Sequence, residues 1–83
     1  MDRYEKLLLR ILSGASDANI AFRDLCSLLE RLGFTGHTRG SHHLFRKEGI
    51  PDMINLQRDG SKAKPYQVRQ VRSVILKYQL GGR

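Results

Sequence analysis

Features that mark secreted and membrane proteins are scarce in this 83-residue chain. Its single cysteine, Cys26, excludes a disulfide within the chain, so the core must be stable without a covalent staple. No hydrophobic run approaches the roughly 18 residues that a membrane-spanning helix requires. The first residues lead into a patterned helix rather than a signal peptide. We therefore expect residues 1–83 to form one small domain in a reducing cytoplasm.

Acidic side chains are scarce in the second part of the sequence. Residues 36–83 carry three acids against ten bases, whereas residues 1–35 balance five against five, so the net charge of +7 lies wholly in the second part. A basic region of this kind favours a nucleic acid as partner, with solubilising charge as the alternative. An anionic membrane is disfavoured, because the chain has neither a lysine-rich run nor an amphipathic anchor.

Hydrophobic periodicity predicts two helices ahead of the basic region. The first helix covers residues 4–12, Asp2 and Glu5 can form a capping box at its start, and its apolar face consists of Tyr4, Leu7, Leu8 and Ile11. The second covers residues 23–32, with a stripe formed by Leu25, Leu28, Leu29 and Leu32. Cys26 lies beside this stripe, where we expect a buried and inert thiol.

Three short strands and a third helix complete the prediction. The strands cover residues 34–39, 42–47 and 52–58, and residues 58–64 have the composition of a polar, basic loop. Pro65 suits the first position of the last helix, whose core stripe runs from Val68 to Tyr78 and whose end frays over residues 80–83. One face of a three-stranded antiparallel sheet then needs a helical layer.

Two adjacent histidines follow the turn predicted at Gly40-Ser41. Glycine supplies the positive φ that the first central position of a type II′ hairpin turn requires. His42 and His43 should point to opposite faces of the sheet, because side chains alternate along a strand. His43 should then lie opposite Thr38 and half shielded at the edge of the core. The pattern by itself leaves both histidines as candidates for proton transfer, which suits imidazole near neutral pH.

Several segments resemble the HicA-type toxins, small ribonucleases of bacterial toxin–antitoxin pairs. They are Leu-Leu-Glu-Arg-Leu-Gly-Phe at 28–34, Gly-Ser-His-His-Leu-Phe at 40–45, Asn-Leu at 55–56 and the closing helix, within a match over about residues 22–80. The resemblance implies an α+β fold like that of double-stranded-RNA-binding domains, here in the order α-α-β-β-β-α with an extra N-terminal helix in residues 1–15. It further implies cleavage of mRNA with His43 as the catalytic residue, and neutralisation by a HicB-type antitoxin.

RNA cleavage of this kind needs neither metal nor cofactor, because the 2′-hydroxyl attacks the neighbouring phosphorus once a base removes its proton. General-base help contributes typically ~10²–10⁴-fold. A protonated lysine, His42 or water could serve as the acid. The expected RNA contacts lie at the hairpin, in the basic loop and on the last helix; they are Arg39, Gly40, Ser41, His42, Arg46, Lys62, Lys64, Arg69 and Arg72.

The residues by themselves leave three other functions as alternatives. A zinc site at His37, His42 and His43 is disfavoured, since adjacent strand histidines diverge and no second cysteine or carboxylate cluster assists. A non-catalytic RNA-binding module of the same fold would use the histidines only as phosphate contacts. An interaction module without nucleic acid would leave the basic region unexplained.

Overall fold

A computed structural model of the protein describes residues 2–81, so Met1 and the predicted frayed residues Gly82 and Arg83 lie outside the described part. Its helices are α1 (Arg3–Ser13), α2 (Phe22–Arg31) and α3 (Pro65–Lys77), with a 3₁₀ turn at Asp17–Asn19. Its strands are β1 (Thr35–Arg39), β2 (His42–Lys47), β3 (Ile50–Asp59) and β4 (Lys62–Ala63). None of these helices has the length and apolar character needed to cross a membrane.

The four strands form one antiparallel sheet in the order β1-β2-β3-β4. The predicted α+β class is therefore confirmed, as is the helix–helix–three strands–helix order.

The prediction of a loop over residues 58–64 is wrong. This segment contains the hairpin between β3 and β4, in which Gly60 has a φ of 64° at the tip. A two-residue strand leaves no readable alternation in the sequence. It forms here because β4 and the turn before it are also bonded on the far side, from the Ala63 amide to the Ile20 carbonyl at 2.9 Å and from the Phe22 amide to the Ser61 carbonyl at 3.0 Å.

The ends of the elements differ from the prediction by one or two residues. β3 begins at Ile50 rather than at residue 52, because the ladder continues through the pair Lys47–Ile50 after an irregularity between Phe45 and Lys47. α2 includes Phe22, which the prediction placed just outside the helix. α1 has the expected capping box, in which the Glu5 amide donates to Asp2 Oδ1 at 2.8 Å.

One face of the sheet forms the core and the helices cover it. Phe45, Ile54 and Leu56 point to this face and are almost fully buried, whereas Met53 and Asn55 on the alternate positions of β3 are exposed. The predicted alternation of β3 is thus confirmed. The helices cover the buried face with three groups of side chains, namely Leu8 and Ile11 from α1, Phe22, Leu25, Leu28 and Leu29 from α2, and Val68, Val71, Val74 and Ile75 from α3.

Gln67, a polar side chain inside this core, continues the sheet where β4 ends. It is 1% exposed. In the orientation that satisfies both ends of its amide, the nitrogen donates to the Gln57 carbonyl at 3.0 Å and the oxygen accepts from the Gln57 amide at 2.9 Å. A side-chain amide thus occupies the place of a further strand residue, and it fixes the first turn of α3 against β3.

Arg72 joins α3 to the chain that leads from α1 to α2. Its guanidinium donates to both carboxylate oxygens of Asp17, at 2.9 and 3.0 Å, and to the Ile11 carbonyl at 3.0 Å. Both side chains are largely shielded, with 19% and 15% of their surface exposed. The hydrogen bonds from Arg72 hold the pKa of Asp17 below its ordinary value.

Replacing Asp17 with Asn should make stability less dependent on pH. A lowered pKa in the folded state stabilises the protein above the carboxyl's ordinary pKa, and this contribution is lost as the pH falls through the folded value. The variant should therefore be less stable by about 1–3 kcal/mol at neutral pH, and the difference should shrink between about pH 5 and about pH 2. Urea unfolding of both proteins across this range measures it; a pH-independent difference would contradict the assignment.

Candidate active site

The hairpin between β1 and β2 has the predicted register. Thr38 pairs with His43 and Arg39 pairs with His42, so Gly40 and Ser41 form the tip. Gly40 has a φ of 57°, and a Cβ added there would meet nothing within 4 Å. The glycine is therefore required for its backbone conformation and not for space.

His43 lies half-buried on the helix-covered face of the sheet. This is the predicted face, because residues two positions apart on a strand, such as His43 and Phe45, point to the same side. Its ring meets the ring of Phe22 nearly edge to face, with centroids 4.9 Å apart and planes at 72°. Its Nδ1 is 3.5 Å from the hydroxyl oxygen of Thr38 across the hairpin. Since both contacts come from the scaffold, the imidazole is held in one place, and Nε2 is the nitrogen that faces no hydrogen-bonding group among residues 2–81.

His42 points to the opposite, uncovered face. It is exposed, and its Nδ1 lies 3.1 Å from Asn55 Oδ1, an oxygen that can only accept, so Nδ1 carries the proton in this contact. Gln57 on the same face donates to the Ser41 hydroxyl at 3.0 Å. The two imidazoles therefore diverge, and no group of three His, Cys, Asp or Glu side chains in the described part of the chain is arranged to hold a metal ion.

Arg58 is a cation near His43 that the sequence analysis missed. Its guanidinium carbon lies 5.0 Å from the ring centroid of Phe22, so Phe22 contacts Arg58 as well as His43. The attraction between a guanidinium and an aromatic ring helps to fix the arginine. The sequence does contain a signal, because Arg58 follows Leu56 by two residues and must share its face of β3. The prediction of a loop from residue 58 onward hid this signal.

Four cations of the predicted RNA surface lie on the hairpin, on β4 and just before α3. Arg39 and Arg46 are exposed on β1 and β2, which form the hairpin. Lys62 on β4 forms a bridge with Ala21, next to Phe22, and its ammonium donates to Asn19 Oδ1 at 3.2 Å. Lys64 immediately precedes α3.

The two arginines of α3 differ from the hairpin cations in their surroundings. Arg72 is engaged with Asp17 and Ile11, which gives it a structural role. Arg69 is exposed, and its charge contributes to the low pKa of Asp17. Both arginines were predicted as RNA contacts, and nothing in the sequence indicates that an acid 55 residues earlier in the chain pairs with Arg72.

Cys26 has the environment expected of an inert thiol. It is half-buried on α2, and burial, assisted by the negative charge of Glu30, raises its pKa to about 11. The thiol is therefore protonated near neutral pH and is a weak nucleophile.

Comparison with protein families matches residues 22–79 to the HicA toxin of bacterial toxin–antitoxin systems. The matched region begins at the first residue of α2, ends just beyond α3, and contains both histidines and Arg58. It covers more than half of the chain, so the protein belongs to the HicA toxin family, whose members are the toxins of toxin–antitoxin pairs. Curated proteins and solved structures gave no match. α1 lies outside the matched region.

Proposed function

We propose that this toxin is a metal-independent endoribonuclease that cleaves mRNA with His43 as its general base. The observation that carries the proposal is the placement of a half-buried imidazole between Phe22 and Thr38, with the Arg58 guanidinium over the same Phe22 ring. Cleavage by the RNA's own 2′-hydroxyl requires a base to take the hydroxyl proton and a cation to stabilise the charge on the phosphate. It is faster when the surrounding structure holds these groups in place.

In this reaction His43 accepts the proton of a ribose 2′-hydroxyl through Nε2. The 2′-oxygen attacks the adjacent phosphorus, the bond to the 5′-oxygen breaks, and the products end in a 2′,3′-cyclic phosphate and a 5′-hydroxyl. The leaving 5′-oxygen takes a proton from water or from a protonated side chain. Negative charge grows on the phosphoryl oxygens in the transition state, and Arg58 is the cation that we assign to stabilise it.

His43 is a better base than His42 for this reaction because it is held by packing. Its orientation depends on Phe22 and Thr38, whereas His42 stands exposed and its ring bonds to the side chain of Asn55. A base held near its reactive geometry needs less ordering when substrate binds. His42 is then a contact to RNA at the uncovered face, together with the hairpin tip.

The proposed RNA surface extends from the hairpin to the start of α3. Because Arg72 is engaged with Asp17, we leave it out and keep the other predicted contacts, with Arg58 added. The surface comprises Arg39, Gly40, Ser41, His42, Arg46, Arg58, Lys62, Lys64 and Arg69. A HicB-type antitoxin would neutralise the toxin by covering His43 with acidic groups, and the cytoplasm, where mRNA is translated, is the compartment that we propose.

Replacing His43 with Ala should abolish RNA cleavage while RNA binding persists. Loss of a general base lowers the rate by about 10²–10⁴-fold, and His42→Ala is the matched control that should retain measurable cleavage. Cleavage of a labelled RNA, with and without chelator, by both folded variants and the parent measures the effect. Full activity of His43→Ala would exclude this base, and binding without cleavage by the parent would favour an RNA-binding module.

Replacing Arg58 should slow cleavage more than it weakens binding. Stabilisation of transition-state charge by one donor is typically worth about 10²–10³-fold in kcat, so Arg58→Ala should approach that loss and Arg58→Lys should retain part of the rate. Single-turnover rates at saturating protein separate this effect from affinity. An unchanged rate in a folded Arg58→Ala protein would remove Arg58 from the site.

Replacing Lys62 and Lys64 together with Gln should flatten the salt dependence of RNA binding. Each phosphate contact with a single strand contributes about 0.7 to the slope of log affinity against log salt, so two contacts contribute about 1.4. The pair Lys47→Gln and Lys77→Gln, outside the proposed surface, removes the same charge and should leave the slope unchanged. Titration of His43→Ala protein with RNA at several salt concentrations tests it; equal slopes for both pairs would exclude Lys62 and Lys64 from the RNA surface.

A further inference from the structure

A second basic surface lies in the groove between α1 and α2, which has a volume of about 610 Å³. All five basic residues of the first 35 line this α1–α2 groove, although that part of the sequence has no net charge. They are Arg3, Lys6, Arg10, Arg23 and Arg31. Tertiary structure has therefore gathered the cations of an electrically neutral segment onto one surface.

Both acids that line the groove are already engaged within the protein. Asp2 caps α1, where its carboxylate accepts from the Glu5 amide at 2.8 Å. Asp24 pairs with Arg3 at 3.4 Å. Five cations against two acids leave the groove with a net positive charge.

The cations of the groove fall into two sets. Internal contacts hold Arg3, Arg10 and Arg31: the Arg10 guanidinium donates to the Asn19 carbonyl at 2.8 Å, and that of Arg31 lies 4.3 Å from the centre of the Tyr4 ring. The side chains of Lys6 and Arg23 are exposed, and neither makes a hydrogen bond or ion pair with another group of residues 2–81. These two side chains are available to an external ligand.

The groove adjoins the candidate active site through α2. Phe22, which contacts both His43 and Arg58, is the first residue of this helix, and Arg23 follows it. Successive residues of a helix are separated by about 100° around its axis. Arg23 therefore lies on the flank of the same helical turn, between the Phe22 side of α2 and the side that faces α1.

We propose that the α1–α2 groove binds the phosphate backbone of the RNA strand that passes through the His43 site. The proposal rests on the proposed function, which places RNA at His43, beside Phe22, and requires the rest of the strand to follow an adjacent surface. An RNA backbone carries a negative charge at every nucleotide and can follow cations along both walls of an open groove. Continuity with the His43 site favours RNA over an acidic peptide as the occupant. α1 then extends the RNA-binding surface beyond the region shared with the family.

The test measures RNA binding by full-length His43→Ala protein, which should leave the RNA uncut. This protein is compared with one that also carries Lys6→Gln and Arg23→Gln. Loss of two phosphate contacts should weaken binding of an unstructured RNA of about 20 nucleotides by about tenfold near 0.15 M salt and lower the salt slope by about 1.4. Binding of a fragment of about four nucleotides, which covers only one site, should change much less. The matched control is again the Lys47→Gln and Lys77→Gln pair, which removes the same charge elsewhere.

Equal weakening by the groove pair and the control pair would overturn the proposal, because it would show an effect of net charge alone. An unchanged affinity for the long RNA would also overturn it, as would a groove that binds a polyglutamate peptide but not RNA. If the groove pair weakens binding while the parent protein cleaves no RNA, the groove stands and the ribonuclease function fails. Circular dichroism should show an unchanged fold, since both side chains are exposed and lie outside the core.

Discussion

The position of Phe22 is the constraint on which the candidate site depends. Its ring is 2% exposed and contacts both His43 and Arg58, while its backbone amide is bonded to Ser61 in the turn between β3 and β4. One residue therefore joins the start of α2, the hairpin with the histidines and the end of β3. Because packed aromatic side chains have few alternative positions, the Phe22 ring gives the imidazole and the guanidinium a common fixed contact.

Polar groups inside the fold hold the helices in register with the sheet. The Gln67 amide bonds to the backbone of β3, and the Arg72 guanidinium bonds to Asp17 and to the end of α1. Each satisfies groups that would be costly to bury alone. They also give Arg72, which was predicted as an RNA contact, a structural role. α1, which lies outside the matched family region, is joined to the family core by the same contacts and by Leu8 and Ile11.

Much of the hairpin could be predicted from the sequence. Alternation with a period of two placed His43 on the buried face and His42 on the exposed face, and the Gly-Ser tip fixed Thr38 opposite His43. These are local relations, set by the turn and by the pleat of the strand. The family resemblance is confirmed over residues 22–79, while the catalytic role of His43 stays a prediction that the cleavage assay decides.

The sequence by itself determined the class of fold, the order of the main elements, the cap of α1 and the face on which each histidine lies, since each depends on neighbours along the chain. Tertiary structure decided the pairing of β4, the contact of Arg58 with Phe22, the pairing of Arg72 with Asp17 and the gathering of five cations between α1 and α2. These features join residues far apart in sequence, and a two-residue strand or a neutral segment leaves no periodic signal. Only the packing of helices on the sheet brings such side chains together.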